Sequence, residues 1–282
     1  MSEKAMIFDI VRSSFVDGPG IRTTVFFKGC NLKCAWCHNP ESQSTKKQLL
    51  FYENRCTHCG QCKTVCPNHM ESCSQCGSCA DVCPHDARQL CGEEITVQEI
   101  VAKVAKDTAF YTTSGGGITL SGGECMLYPA FIVQLLCVCR ELGIHTAIDT
   151  AGAVPWHTFE QVMPVTNLFL YDLKAMDPEV HQRYVGTHLS LILDNYRKLI
   201  QSGSHVWVRV PVIPGVNDDQ KQLDALYDLL KAYPPEKVEL LPYHAMGEHK
   251  YGGLGKELIK FAAPDQLWFD KLKQRFAAMA KT

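Results

Sequence analysis

Residues 28–39 read KGCNLKCAWCHN and place three cysteines in one short loop with the spacing C-x3-C-x2-C. Thiolates this close together can bind one metal centre, and thiolate is the ligand that selects iron–sulfur clusters, zinc or copper. The loop supplies Cys30, Cys34 and Cys37, whereas a structural zinc site or a ferredoxin cluster needs four protein ligands. A four-iron cluster held here would keep one iron open, as a catalytic metal site requires. Ligand chemistry alone also allows a zinc site that is completed by His38 or by a distant cysteine.

The composition of the 282 residues argues against several classes of protein. Lys and Arg number 28 against 30 Asp and Glu, so no basic surface for nucleic acid is indicated. No apolar stretch approaches the length that spans a membrane, and the first residues lack the hydrophobic region of a signal peptide. Fifteen cysteines, concentrated before residue 92, then favour metal ligation in a reducing cytoplasm over a disulfide framework. We expect a cytoplasmic protein without a nucleic-acid or membrane partner.

Residues 51–91 contain a duplicated cysteine pattern. The run C-x2-C-x2-C-x3-C-P begins at Cys56 and again at Cys73, and it matches the bacterial ferredoxin run, whose fourth cysteine binds the other cluster. Two full copies predict two iron–sulfur clusters and argue against a zinc ribbon. Only six residues separate Cys66 from Cys73, fewer than we expect between ferredoxin halves. Crossed ligation would use two groups of cysteines: Cys56, Cys59, Cys62 and Cys83, and Cys66, Cys73, Cys76 and Cys79.

Outside this segment, strand patterns alternate with helix patterns. β-branched and aromatic runs predict strands at residues 5–11, 21–27, 117–120, 144–148, 167–173, 205–212 and 238–241. Apolar residues at helical spacing predict helices at residues 97–104, 129–142, 156–162, 181–185, 190–201, 219–232 and 265–279. Six βα units, counted from strand 21–27, are typical of a parallel sheet and too few for a closed eight-fold barrel. We expect an α/β fold, an open partial (β/α)6 barrel built from residues 1–50 and 93–282, with residues 51–92 inserted as a ferredoxin-like domain.

Polar residues gather where these strands end: Gly122, Gly123, Glu124, Asp149, Thr150, Asp172, Lys174, Arg209 and His244. Each has an ordinary explanation, since a Gly-Gly-Glu is usually a turn, an Asp is often an N-cap and a lone His is often structural. They recur, however, at the carboxyl ends of successive parallel strands, where α/β enzymes have their active sites. The pattern therefore predicts a site that faces the Cys30 loop.

Taken together, these segments resemble the radical S-adenosylmethionine (SAM) enzymes, and among them the activating enzymes of glycyl radical enzymes. The resemblance rests on the three-cysteine loop and on the segments DGPGIR at 17–22, WCHNP at 36–40, SGGE at 121–124, DT at 149–150, DLK at 172–174, WVR at 207–209 and LLPYH at 240–244. These segments cover nearly the whole chain in the family's order. The double ferredoxin insert is similar to that of activases whose partner is not pyruvate formate-lyase. Cys125 departs from the Pro that commonly follows SGGE.

The resemblance implies a partial (β/α)6 radical SAM barrel with three four-iron clusters, one SAM-binding and two accessory. Cys30, Cys34 and Cys37 would bind the first cluster and, with Lys174, count as the catalytic residues. SAM contacts are implied for Trp36, His38, Gly122, Gly123, Glu124, Asp172, Leu173, Lys174 and His244. A monovalent cation is implied at Asp149, Thr150, Asp172 and the carbonyl of Leu170, since hard oxygen ligands suit such an ion.

The resemblance also implies the reaction. Flavodoxin or ferredoxin would supply one electron, SAM would be cleaved to methionine and a 5′-deoxyadenosyl radical, and that radical would remove a hydrogen atom from a glycine of a partner glycyl radical enzyme. Asp17, His38 and Arg209 are the candidates for contacting the partner's glycine loop.

Two other functions stay open at this point. A ferredoxin-type electron carrier would explain the duplicated cysteines, but it would leave the six βα units and their polar residues without a purpose. A radical SAM maturase that modifies peptides would share the cleavage chemistry. Such maturases usually carry extra cysteines after the barrel, whereas no cysteine follows Cys139 here.

Overall fold

The computed structural model describes residues 3–277 and residue 279, and this part of the chain forms ten strands and eleven helices. The strands are β1 (Lys4–Ser14), β2 (Arg22–Phe27), β3 (Gln48–Phe51), β4 (Arg88–Cys91), β5 (Glu93–Thr96), β6 (Gly117–Gly122), β7 (His145–Thr150), β8 (Leu168–Asp172), β9 (Val206–Val212) and β10 (Lys237–Pro242). The helices are α1 (Gln61–Thr64), α2 (Ser78–Asp81), α3 (Val97–Val104), α4 (Thr108–Ser114), α5 (Pro129–Glu141), α6 (Trp156–Val162), α7 (Pro178–Val185), α8 (Leu189–Gln201), α9 (Gln220–Ala232), α10 (His249–Gly253) and α11 (Gln266–Ala277).

Eight of these strands form one sheet in the order β10-β9-β8-β7-β6-β2-β1-β5. The neighbours from β2 to β10 all pair in parallel, while β1 is antiparallel to both β2 and β5. The mostly parallel α/β sheet is therefore confirmed, and its six parallel strands agree with the six predicted βα units. Within the described residues the strands at the two ends of this order are β10 and β5, so the sheet is open.

Helices α3, α7 and α9 begin at side-chain N-caps. At the start of α3, the Thr96 hydroxyl accepts from the Glu99 amide at 3.3 Å and the Glu99 carboxylate accepts from the Thr96 amide at 2.8 Å. This capping box satisfies backbone donors that the helix start leaves free. One turn further, Ile100 and Val104 are fully buried in the core.

A short ribbon carries the cysteine-rich segment. β3 and β4 pair antiparallel from Gln48–Cys91 to Phe51–Arg88, so residues 52–87 lie between the two strands of the ribbon. The sequence duplication is also a backbone duplication, because equivalent residues 17 positions apart share unusual conformations. These left-handed pairs are His58 and Gln75 (φ 57° in both), Gly60 and Gly77 (φ 80° and 87°), and His69 and Asp86 (φ 49° in both).

Several elements differ from the sequence prediction. The ribbon strands, β5, α1, α2, α4 and α10 were not predicted, and all of them are short. The last predicted helix, residues 265–279, is observed as α11 from Gln266 to Ala277; residue 278 lies outside the described residues and Met279 is in a turn. Helix α7 contains the predicted residues 181–185 and begins at Pro178. Its N-cap Asp177 accepts from the amides of Glu179 and Val180, which favours this start.

Candidate functional site

The three-cysteine loop follows β2 and lies at the carboxyl end of the sheet. Its start is held by β6, since the Glu124 amide donates to the Gly29 carbonyl at 2.8 Å. Its middle is held by the end of α7, because the Lys33 and Ala35 amides donate to the carbonyls of Val185 and Tyr184, each at 2.8 Å. The loop is therefore fixed by backbone contacts on both sides.

The three loop cysteines are half-buried. Burial raises the pKa of Cys34 to about 12 and also raises the pKa of Cys30 and Cys37. The nearby Lys174 ammonium works against this effect at Cys34 and Cys37. Because metals bind thiolates, loading this loop must release protons, and Lys174 favours that release.

Two glycines at the end of β6 allow close packing against the loop. A Cβ atom on Gly122 would lie 2.3 Å from the Phe27 nitrogen, and one on Gly123 would lie 2.2 Å from the Gly29 carbonyl oxygen. The next residue, Glu124, is fully buried, and its carboxylate accepts from the Thr150 hydroxyl at 2.8 Å and the Ala151 amide at 3.1 Å. Burial raises the pKa of Glu124 to about 7. The Glu124 side chain thus joins β6 to β7. Because its carboxylate is used in these contacts, a ligand here would contact the backbone of residues 122–124.

Two carboxylates on neighbouring strands each pair with a cation. The Lys174 ammonium lies 2.7 Å from Asp172 Oδ2, and Arg209 Nη1 lies 3.3 Å from Asp149 Oδ2. Burial raises the pKa of Asp149, and Arg209 opposes that shift. Among the described residues no donor reaches the buried Oδ1 of Asp149, so this oxygen has capacity for a further ligand. Leu170 is the register partner of Asp149 on β8.

The end of β10 meets the cysteine loop through two histidines. The His38 and His244 ring centroids are 4.0 Å apart, and His38 Nε2 donates to the His244 carbonyl at 3.0 Å. Burial and then the neighbouring His244 lower the pKa of His38. Trp36 is buried and packs edge-on against Phe261. The structure therefore brings three of the predicted SAM contacts together at one side of the loop.

The segment before β2 contacts side chains of β2 and β9. Asp17 accepts from the Ser14 hydroxyl at 2.6 Å and from the Thr24 hydroxyl at 2.8 Å. Arg209 Nη2 donates to the Val16 carbonyl at 3.3 Å. Two of the three predicted partner contacts, Asp17 and Arg209, thus belong to one neighbourhood.

Sequence reasoning missed a third support of the loop, which comes from residues 250–256. The Tyr251 hydroxyl donates to the Cys37 carbonyl at 3.1 Å. Lys250 Nζ donates to Asn39 Oδ1 at 2.8 Å, and Lys256 Nζ donates to Gln43 Oε1 at 2.8 Å. No sequence signal identifies these residues, because single polar side chains far along the chain form no periodic pattern.

The cysteine-rich segment contains two cavities, each lined by four thiols. A cavity of about 180 Å³ is lined by Cys56, Cys59, Cys62 and Cys83, and one of about 220 Å³ by Cys66, Cys73, Cys76 and Cys79. This is the crossed grouping. Among the described residues no group of three or more His, Cys, Asp or Glu side chains is arranged to hold a single metal ion. The amides of Met70 and Ala87, 17 residues apart, donate to Cys66 Sγ and Cys83 Sγ at 3.3 Å each.

Comparison with known proteins assigns the family. Residues 24–227 match the radical SAM superfamily. The chain is 41% identical to the trans-4-hydroxy-L-proline dehydratase activating enzyme of Clostridioides difficile, covering 97% of this chain and 96% of that protein. It is also 41% identical to the choline trimethylamine-lyase activating enzyme of Oleidesulfovibrio alaskensis, over 91% of this chain and 89% of that protein. The chain belongs to the radical SAM activating enzymes of glycyl radical enzymes.

Solved structures support the fold of this activase. A domain of a pyruvate formate-lyase-activating enzyme from Bacteroides vulgatus is 33% identical, with a TM-score of 0.50 over 58% of the activase and 94% of that chain. A radical SAM methyltransferase from Sphaerobacter thermophilus reaches a TM-score of 0.57 over 98% of the activase and 71% of that chain, at 15% identity, which shows the fold alone. Among the described residues of the activase, no helix is both long and apolar enough to cross a membrane.

Proposed function

We propose that the activase cleaves SAM at a cluster bound by Cys30, Cys34 and Cys37 and removes a hydrogen atom from a glycine of a partner glycyl radical enzyme. The observation that carries this proposal is the three-thiol loop at the carboxyl ends of parallel strands. It occurs in a chain that aligns almost end to end with activating enzymes. When bound, the cluster supplies an electron and an open coordination position for SAM.

The donor set fits such a cluster. Three half-buried cysteines are present, and a neighbouring ammonium favours the ionised form of Cys34 and Cys37. The side chains around the loop would bind SAM: Trp36, His38, Asp172, Leu173, Lys174 and His244, together with the backbone of Gly122, Gly123 and Glu124. Lys174 is the residue best placed to act on both cofactors, because it is close to Cys34 and to Asp172.

Residues 51–92 would be a ferredoxin-like domain between barrel segments 1–50 and 93–282. Support comes from the two four-thiol cavities, from the amides directed at Cys66 and Cys83, and from the duplicated backbone. A four-iron cluster takes one cysteine at each iron, so each cavity offers a complete ligand set. Flavodoxin or ferredoxin in the cytoplasm would then be the source of electrons.

A monovalent cation would bind at Asp149, Thr150, Asp172 and the carbonyl of Leu170. The unsatisfied Asp149 Oδ1 supports this assignment. The Thr150 hydroxyl already donates to Glu124, however, and Lys174 occupies Asp172 Oδ2, so a cation would have to share these groups.

The partner would be a glycyl radical enzyme whose glycine loop contacts Asp17, His38 and Arg209. Arg209 is tied to the backbone beside Asp17, which places a cation and a carboxylate next to each other at the proposed contact. Similar activating enzymes are named for a hydroxyproline dehydratase and a choline lyase, and both are candidates for the class of partner.

The proposal predicts a division between the two kinds of cysteine. Replacing Cys30, Cys34 and Cys37 with Ala should leave about eight irons per chain and abolish SAM cleavage, because the two accessory sites have complete ligand sets. The matched control, Cys59→Ala with Cys76→Ala, should lose accessory iron yet retain SAM cleavage under dithionite. Iron analysis beside assays of methionine and 5′-deoxyadenosine measures both. Continued 5′-deoxyadenosine production by the triple variant would overturn the assignment.

A further inference from the structure

Arg88 connects the two four-thiol cavities. Of the described residues it alone lines both of them. It lies on β4, directly after the second cysteine run, and its guanidinium carbon is 4.5 Å from the centre of the Phe51 ring. Phe51 is its register partner on β3, so the ribbon fixes where this cation lies.

The Arg88 side chain extends to the first cavity, because Phe51, whose ring its guanidinium overlies, also lines that cavity. Arg88 lines the second cavity as well. Arg88 is half-buried, so solvent screens its charge less than that of an exposed side chain.

The internal repeat is broken at this position. The residue 17 positions before Arg88 is Glu71, which is exposed and carries the opposite charge. The preceding pair, Met70 and Ala87, makes equivalent amide-to-sulfur contacts, so the backbone repeat continues up to the break. The repeat therefore supplies this cation on one side only, at the position that lines both cavities.

We propose that Arg88 is a common counter-ion of two accessory clusters and raises both of their reduction potentials. This inference rests on the proposed function, which places the clusters in these cavities. A cluster bound by four thiolates carries net negative charge, and reduction makes it more negative, so a cation beside it favours the reduced form. A cation between two such clusters also lessens the repulsion between them when both are reduced.

The test is a redox titration of the full chain, followed by EPR, in the variant that lacks Cys30, Cys34 and Cys37. Arg88→Gln should make both accessory clusters harder to reduce, by about tenfold in each equilibrium, or about 59 mV for one electron. Arg88→Lys keeps the charge and should leave both potentials near their starting values. Arg55 is a matched control, because its guanidinium lies 4.5 Å from the Tyr52 ring but lines only the first of the two cavities. Arg55→Gln should change the reduction potential of at most one accessory cluster.

Iron content separates the possible failures. If the parent variant holds no accessory iron, the two proposed accessory clusters are wrong, and the shared counter-ion is wrong with them. If eight irons are present and Arg88→Gln shifts one couple or none, the shared counter-ion is wrong while the clusters stand. If Arg88→Gln loses iron, the Arg88→Lys variant distinguishes the two explanations. The proposal is supported if Arg88→Lys has the iron content and both reduction potentials of the parent variant. Recovery of iron with displaced potentials, or iron loss in both variants, overturns it.

Discussion

Lys174 lies beside the Asp172 carboxylate and near the Cys34 thiol, which makes it the most informative single residue of the site. Burial alone would lower its pKa, but the charges of Asp172 and Cys34 outweigh burial and raise it, so the side chain stays an ammonium. A buried cation held by one carboxylate has further hydrogen atoms to donate. We infer that it binds an anionic part of SAM.

Replacing Lys174 or His244 with Ala should weaken SAM binding by about tenfold or more, because a hydrogen bond to a charged group contributes about 1.5–3 kcal/mol. Iron content should not change, since neither side chain is a cluster ligand. Equilibrium binding of SAM to the reconstituted enzyme, beside iron analysis, measures the two quantities. Lys198→Ala on the exposed face of α8 is the control. Wild-type SAM affinity in both site variants would contradict the assignment.

At the scale of elements, the contact between the end of β6 and the cysteine loop leaves no room for a side chain. Gly123→Ala would place a methyl group 2.2 Å from the Gly29 carbonyl oxygen and 2.9 Å from the Ser42 carbonyl oxygen. We expect a loss of about 1–3 kcal/mol in unfolding free energy, the usual cost of overpacking, and poorer retention of iron in the loop. Gly252→Ala in α10 is the control, because a Cβ there meets nothing within 4 Å. Urea unfolding and iron analysis test the difference, and equal behaviour of the two variants would contradict the packing argument.

Long, regular elements could be predicted from the sequence, and short ones could not. The buried apolar runs of β7, β8 and β9 and the amphipathic faces of α8 and α9 are local patterns, so they appear in the sequence directly. The ribbon strands β3 and β4 have four residues each and are defined by pairing across almost forty residues of sequence. Such pairing depends on tertiary structure, which no local pattern reports.

Some residues of the candidate site could likewise be predicted from the sequence, and others could not. The cysteine spacing and the position of Asp172 at a strand end identify these residues without a structure. Glu124 was predicted to contact SAM, yet its carboxylate is buried between β6 and β7, a role that depends on two strands meeting. The Tyr251 hydroxyl donates to the Cys37 carbonyl, a contact between residues far apart in sequence that no local pattern reports.

In the whole molecule, one buried lysine joins three parts that are distant in sequence. Lys28 is fully buried, and its ammonium donates to the Glu41 carbonyl and, at 3.2 Å, to Gln48 Oε1 at the base of the ribbon. The Glu41 carboxylate in turn lies 2.5 Å from the ammonium of Lys250. The cysteine loop, the inserted segment and the segment that follows β10 are therefore connected through polar contacts at the same place.

The amino end of the sheet, opposite the cysteine loop, contains a histidine that makes the stability of the whole molecule depend on pH. His145 begins β7 and lies 3.4 Å from Nη1 of the buried Arg22. Burial, then Arg22, then His205 lower the pKa of His145 from 6.5 to about 4. Glu236 lies in the same neighbourhood but is hydrogen-bonded to His205. Between pH 6.5 and about pH 4, His145 is therefore protonated in the unfolded chain but neutral in the folded chain. Lowering the pH across this interval favours unfolding.

We expect the unfolding free energy to fall as the pH is lowered from 7.5 to 5.5, with about 1 kcal/mol of the loss due to His145 after allowance for its partial exposure. The fully buried His181, whose pKa burial also lowers, should add to the loss in every variant. His145→Gln should remove its own share and flatten the profile, because glutamine does not titrate. His157→Gln on the exposed side of α6 should behave as the wild type. Anaerobic urea unfolding at both pH values measures the slopes, and a His145→Gln profile as steep as that of the wild type would refute the assignment.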